Sequence, residues 1–361
     1  MQHPLRINLD LKARTTRRNN HEEKSGFSKI MGAKGAGTVV TAFIGLIIIY
    51  IAFGILNPKV FTLLNIQNLL RSMSKYLLIG IGQSFVMITG NVDLSIGSVV
   101  GMSAMISATM MTKGMNPIVA IIVTIVLALV VGVVNGYLVG KFKLPPFIAT
   151  LGTMFIARGI AYIVNNNRNT DNIASGIGKE AGDRFQNIFY YGKTAGIFNT
   201  FWIALIIFLI FWFFLARTRS GRHIYAIGSN VDAARLSGVD VVKTTMKAYM
   251  VSGFCSAIVG FVLCAQAGMG NMDAGNMYEM YGVAAGVIGG VSPLGGSGIL
   301  LGTFAGAGVW QTLENGLNLI HAQVGFQRII IGVIVVGAVL LDVVVRSGNF
   351  KKKKVNNFKK K

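Results

Sequence analysis

Acidic residues are scarce in this chain: 13 Asp and Glu stand against 34 Lys and Arg in 361 residues, and charged side chains of both signs make up only 13%. A soluble core of this size carries roughly twice that charged fraction, so a water-soluble globular domain is excluded first. Cysteine is nearly absent. The two present, Cys255 and Cys264, sit nine residues apart on one predicted helix, about 180° apart around it by the 3.6-residue period, which excludes a disulfide between them. The four histidines, His3, His21, His223 and His321, are scattered, and no Cys/His cluster has metal-ligand spacing. A nucleophile elbow, a redox CxxC and a haem CxxCH are all missing, so enzymatic chemistry has no visible home. The glycine-rich run from Gly289 to Gly298 has the glycines of a phosphate cradle but no lysine; it reads as a helix break between two half-spans. The first residues contain Glu22 and Glu23 and lack a short apolar core with a cleavage site, which excludes a secretory signal and a transit peptide. The first span therefore anchors uncleaved.

What is present is apolar: 53% hydrophobic residues and 45 glycines, with a mean hydropathy of +0.60. Runs at about 38–56, 118–139, 199–215, 248–270 and 326–345 approach or exceed the roughly 20 residues that cross a ~30 Å hydrocarbon core. Weaker candidates lie at about 75–90, 94–112, 147–164, 277–291 and 297–320, each broken by Gly, Ser, Thr or Asn. Such residues are tolerated where helices pack on one another or line a watery cavity, so the weaker spans are expected to be the inner ones. The fold class is an all-α polytopic membrane protein with broken or half helices.

Lys and Arg near the span ends set the orientation. Arg6 to Lys34 place residues 1–37 in the cytoplasm, as a basic segment expected to be disordered, and Arg346 to Lys361 place the tail 346–361 there too. Both termini inside requires an even number of crossings. Ten spans over 38–345 put the basic connection 217–247 inside and 165–198 outside; eight spans, with 277–320 re-entrant, is the alternative. The net charge of +21 resides mostly in tails and inner loops, where anionic lipid headgroups attract it, so no nucleic-acid partner is expected.

The connection 217–247 holds an ordered series, Gly221 to Gly228 followed by Asp232-Ala233-Ala234-Arg235-Leu236-Ser237-Gly238. The Ala pair suits a short helix and Gly238 its C-terminal cap. Spans fix both ends, so the loop presents a rigid surface to something soluble. Arg217, Arg222 and Arg235 offer donors to carboxylates on a partner, or serve as positive-inside anchors. Asp93 stands between two apolar segments, either as a helix N-cap or as an intramembrane functional group; Asn91 shares either task. Further polar residues in the inner spans include Gln83, Asn135, Thr150, Thr153, Arg158, Gln266, Tyr278, Glu279, Gln311, Glu314, Asn315, Asn318 and Gln327. Amides, hydroxyls and aromatic faces of this kind suit a polar solute better than a lipid, or else bond one helix to another.

Four blocks carry a resemblance: Asn91 to Ser98; Pro146 to Met154 with Arg158-Gly159; Gly221 to Gly238; and Ala284 to Gly302 with Asn315 to Asn318. In this order, and over residues 40–345, the chain resembles the ribose/galactose-type permeases of ATP-binding-cassette importers. The resemblance implies a type II importer-like permease fold and a dimer in the bacterial inner membrane. It also implies two ATPase subunits on the cytoplasmic face, an extracytoplasmic binding protein that delivers a monosaccharide, and no cofactor of the chain's own, since ATP is bound by the partner. The series Asp232-Ala233-Ala234-x3-Gly238 is similar to the Glu-Ala-Ala-x3-Gly coupling loop of importer permeases, with Asp for Glu. On this reading Arg222, Asp232, Ala233, Ala234, Arg235 and Gly238 couple to the ATPase, and Asn91, Asp93, Thr150, Thr153, Tyr278, Glu279, Asn315 and Asn318 belong to the translocation pathway. Two positions depart from the family pattern: Met280-Tyr281 replaces a usual Leu-Asp, and Ile331 a usual lysine. A secondary transporter driven by an ion gradient is the alternative; it has no use for the 232–238 loop.

Overall fold

A computed structural model describes residues 36–327 and, beyond them, 329, 330, 332, 333, 336, 337 and 340. The basic segment 1–35, the tail 341–361 and Ile331, on which part of the orientation and one family departure rest, lie outside the described residues. In chain order the elements are α1 Ala36–Leu56, a 3-10 turn Pro58–Phe61, α2 Leu63–Ile88, α3 Ile96–Thr112, α4 Pro117–Gly140 and α5 Pro146–Ile163. A connection follows, with the short helices α6 Ala174–Ile177 and α7 Lys179–Gln186, a π turn Asn187–Tyr191, and the antiparallel pair β1 Lys193–Thr194 and β2 Ile197–Phe198. Then come α8 Asn199–Arg217, α9 Arg219–Ser229, α10 Val231–Leu236, α11 Val241–Ala267, α12 Tyr278–Ile288 and α13 Leu300–Leu319. The chain is an all-α polytopic membrane protein, and among the described residues α1, α4, α5, α8 and α11 are each long and apolar enough to cross a bilayer.

Local chemistry sets the boundaries. The Asn116 side chain accepts the Ile118 N–H at 2.9 Å just before Pro117, and Pro146 opens α5; proline suits the first helical turn because its missing N–H has no intrahelical partner there.

Backbone contacts identify two ends of the bundle. At one, the Gly296 N–H donates to Ile88 O at 2.8 Å and the Tyr225 hydroxyl to Gly298 O at 2.7 Å, which gathers the end of α2, α9 and the 289–299 loop. At the other, the Thr170 N–H donates to Gly270 O at 3.0 Å and the Ile173 N–H to Gly268 O at 2.9 Å, joining the end of α11 to the 164–198 connection. Residues 268–296 therefore traverse the bundle. Then α13 returns, its last carbonyl at Leu319 accepting from Asn57 Nδ2 at 2.8 Å. A re-entrant 277–320 is not what the structure shows; this is the connectivity of ten crossings, with the last, from residue 324 on, only partly described. The eighth crossing reads weakly because α12, at about 16 Å, is half a span, and irregular backbone at 268–277 supplies the rest.

The expectation that the weaker spans lie inside is half right. Helices α2, α3 and α13 are deeply buried. Yet α11, one of the strongest apolar runs, has 83% of its apolar window buried, whereas α5, a weaker one, has 28%. The reason is size rather than polarity. A Cβ at Gly132 would lie 2.5 Å from Tyr249 O, one at Gly136 would strike Met246, and one at Gly140 would lie 3.1 Å from Val242 Cα. This Gly-x3-Gly-x3-Gly stripe on α4 lets the backbone of α11 approach closely. On α5 one face is polar, while Phe147, Ile148, Phe155, Ile156 and Ile163 are exposed on the other.

Candidate functional site

The 217–240 connection is almost wholly helical. In α9, Gly221, Ile224 and Ile227 face the bundle and Arg222 faces out. Asn230 caps α10, accepting the Ala233 N–H at 2.9 Å. The helix stops at Gly238, whose φ is +80°: its N–H donates to Arg235 O at 3.0 Å, and that of Val239 to Ala234 O at 3.0 Å, the Schellman pattern that needs a left-handed residue at this position. Ala234 packs with Ile227 and Val239. Asp240 then caps α11, and the Lys243 N–H holds its carboxyl below the usual carboxylate range. At Tyr225, burial pushes the phenol up to about 12. What remains outward on α10 is Leu236, 90% exposed, between Asp232 and Arg235. Arg235 is not free, because its guanidinium lies 3.5 Å from Asp232 in an exposed pair that contributes little to stability.

A second feature is a chain of buried hydrogen bonds across four elements. Thr153 Oγ1 donates to Asn135 Oδ1 at 2.7 Å, Asn135 Nδ2 to Ser95 Oγ at 2.9 Å, and Ser95 Oγ to Asp93 Oδ1 at 2.6 Å. From the other side Ser252 Oγ donates to Asp93 Oδ2 at 2.6 Å, and the Ser95 N–H adds 2.9 Å to Oδ1. Every proton points toward the carboxylate, which has no need of a cation. Asp93 does not cap α3 directly, since Ser95 occupies the cap position; it holds Ser95 in an Asx turn. The node thereby ties the broken segment before α3 to α4, α5 and α11. Asn91 Nδ2 donates to Thr89 Oγ1 at 2.7 Å, outside the chain but on a cavity of about 250 Å³ shared with Lys143, Asp232 and Arg235. Thr150 bonds its own helix, at Pro146 O.

The remaining expected residues lie elsewhere. Tyr278 joins an aromatic cluster with Tyr76, Tyr281 and Trp310, whose centroids are 5.0 to 6.2 Å apart, and Tyr76 donates to Glu314 Oε2 at 2.7 Å. Glu279 lies against Gly97 at the start of α3, where only glycine leaves it room. Asn315 exchanges amide bonds with Asn65, and Asn318 accepts from Gln327 Nε2 at 2.9 Å; both are helix-to-helix ties at the far end of α13. Arg158 Nη1 donates to Met272 O and Ala274 O at 2.8 and 2.9 Å, fixing the irregular part of the eighth crossing. That segment, with Gln266, Asn276 and Tyr278, lines an outward cavity of about 440 Å³. Sequence reasoning missed Ser95 and Ser252 as ligands of Asp93; nothing local signals them, for they are 2 and 159 residues away. It also missed Tyr76 and Trp310 as partners of Tyr278. Among the described residues no group of His, Cys, Asp and Glu has the geometry to hold a metal, and both cysteines are free and buried.

Comparison with known proteins gives a consistent picture. A family profile described as branched-chain amino acid transport system / permease component matches residues 65–339. Over 300 residues, 83% of this chain and 91% of the relative, identity to the ribose import permease protein of Bacillus subtilis (strain 168) is 41%. The D-allose transport system permease protein of Escherichia coli (strain K12) is 34% identical over 302 residues, 83% of this chain and 90% of its own. The autoinducer 2 import system permease protein of Salmonella typhi is 30% identical over 302 residues, 84% of each chain. No solved structure matches.

Proposed function

This chain belongs to that permease family, the multi-pass, non-catalytic membrane subunits of importers driven by a separate ATPase, and from that premise we propose that it carries ribose or a closely related monosaccharide into a bacterial cell. The observation that carries the coupling half of this reading is α10: a helix capped at Asn230, stopped at Gly238 and propped on Ile227 and Val239, with Leu236 exposed between two charges. An exposed apolar side chain on a rigid, charge-rimmed element suits a protein interface. Asp232, Ala233, Ala234, Arg235 and Gly238, with Arg222 beside them, are then the docking element for the ATPase on the cytoplasmic face. Closure of the ATPase pair moves α10 as a lever, and the rigid Schellman stop passes that motion into α11.

The sugar half is supported by the printed roles of the relatives, which import ribose, D-allose and autoinducer 2. On the opposite face a binding protein delivers the solute, and the amide and tyrosine side chains around the 440 Å³ cavity receive it at modest affinity. Two copies of the permease form the pore, both termini are cytoplasmic, and the chain needs no cofactor of its own. The test is purification in mild detergent from the native cell, with an ATPase assay on the eluate and uptake of labelled pentoses and hexoses in proteoliposomes. Recovery of a soluble ATPase, lost when residues 232–238 become a Gly-Ser linker, is the expected result. A chain that purifies alone and moves solute under an ion gradient overturns it.

A further inference from the structure

Gln83 is fully buried in α2, and neither its Oε1 nor its Nε2 has a hydrogen-bond partner. Other buried polar atoms lack partners, among them Ser103, Thr109, Thr124 and Thr312 hydroxyls, but a helical hydroxyl can turn onto a carbonyl of its own helix. An amide cannot, and it carries two donors and one acceptor oxygen with two lone pairs. Leaving both ends unpaired in an apolar interior is costly, while a leucine would fill the same space without that cost. Gln83 is therefore a liability in this conformation and calls for a partner in another.

The element that covers it is α12. A Cβ at Gly282 would sit 3.3 Å from Gln83 Cβ and 3.2 Å from Ile79 O, and one at Gly286 would sit 2.9 Å from Met87 Cε, so two glycines lay this short helix flat on α2. Left-handed residues bound it, Met277 at φ +67° and Gly290 at φ +83°. Its trailing loop, with Gly295, Gly296 and Gly298 also at positive φ, touches Ser229 and receives the Tyr225 hydroxyl on Gly298 O. Both residues belong to α9, which leads directly into α10.

We propose that Gln83 is a solute-contacting residue of the pathway: α12 covers it here, and a shift of α12 driven through α9 exposes its amide to a neutral, hydroxylated solute. An amide presents a donor and an acceptor side by side, the complement of a sugar hydroxyl, and carries no charge for an ion to pair with. This inference rests on the sugar-permease reading.

The test uses the complete importer, with its ATPase and binding protein, in proteoliposomes loaded with the sugar that the wild type carries. Gln83→Leu is expected to keep or raise the unfolding temperature while uptake falls roughly tenfold, the scale of one hydrogen bond to the solute. A small thiol reagent is expected to label Gln83→Cys during ATP turnover and not at rest. Uptake by Gln83→Leu within twofold of wild type, a lower unfolding temperature in that variant, or a Gln83→Cys that stays unlabelled through turnover each overturns the proposal. A wild-type importer that moves no pentose or hexose takes the sugar reading down with it; wild-type transport matched by Gln83→Leu removes this inference alone.

Discussion

Asp93 shows how one buried carboxylate can organise a break in a membrane helix. Three donors reach it, from Ser95 twice and from Ser252, so removing any one leaves a lone pair facing an apolar interior. Ser252→Ala is expected to cost about 1–3 kcal/mol, read as a lowered unfolding temperature in detergent, and to be non-additive with Asp93→Asn because the two share one contact. Equal stability of Ser252→Ala and wild type would show that water replaces the serine without loss. The identities of Asp93, Asn135 and Thr153 are visible in the sequence as polar residues in apolar runs. Their joining into one chain is not, because Ser252 arrives from a helix 159 positions later.

At the scale of elements, small residues decide which helix is central. The stripe Gly132, Gly136 and Gly140 on α4 faces Tyr249, Met246 and Val242 on α11. Gly136→Leu forces these backbones apart and is expected to cost at least about 1–3 kcal/mol of overpacking, seen as loss of monodisperse protein on size-exclusion chromatography. The spacing is legible in the sequence, but which neighbour it meets is not, since every helix here carries small residues. Gly238 gives a sharper contrast. Nothing lies within 4 Å of a Cβ built there, so Gly238→Ala bears only the left-handed strain of roughly 1–2 kcal/mol and should retain most uptake. Gly238→Pro cannot adopt φ +80° and loses the N–H that bonds Arg235 O; it is expected to leave ATP hydrolysis running while uptake fails. Equal uptake by the two variants would remove the lever from the coupling account.

For the whole molecule, the two ends of the bundle are built differently. One presents a capped helical hairpin, the other an irregular connection with a small β pair and a broad outward cavity. Leu236 has no packing role to lose, being 90% exposed. Leu236→Glu is therefore expected to leave the fold and unfolding temperature unchanged yet cut ATPase retention on co-purification by tenfold or more, as loss of an interface anchor does. Charge reversal at Arg235 should do less, because that side chain already leans on Asp232 across an exposed 3.5 Å pair. Undiminished ATPase retention by the Leu236 variant would move the interface elsewhere on 217–240.

Composition and hydropathy sufficed for the class: a chain with 53% hydrophobic and 13% charged residues has few ways to exist other than as packed membrane helices, since backbone groups in hydrocarbon must be satisfied internally. The ordered blocks around Asp93, Pro146, Asp232 and Ala284 likewise carried the family, and the Ala pair with Gly238 carried the short helix and its stop, because capping is chemistry between neighbours in the chain. Depth, partnership and cover belong to three dimensions. Hydropathy measures how much a helix likes lipid, not whether lipid reaches it, so it ranked α11 as an outer span when the glycines of α4 make it the innermost. It could not see that Asn315 and Asn318 tie helices at one end while Asp93 organises the other, nor that α12 lies over Gln83. Those outcomes follow from which surfaces are small enough to approach each other, and that is settled between helices rather than along them.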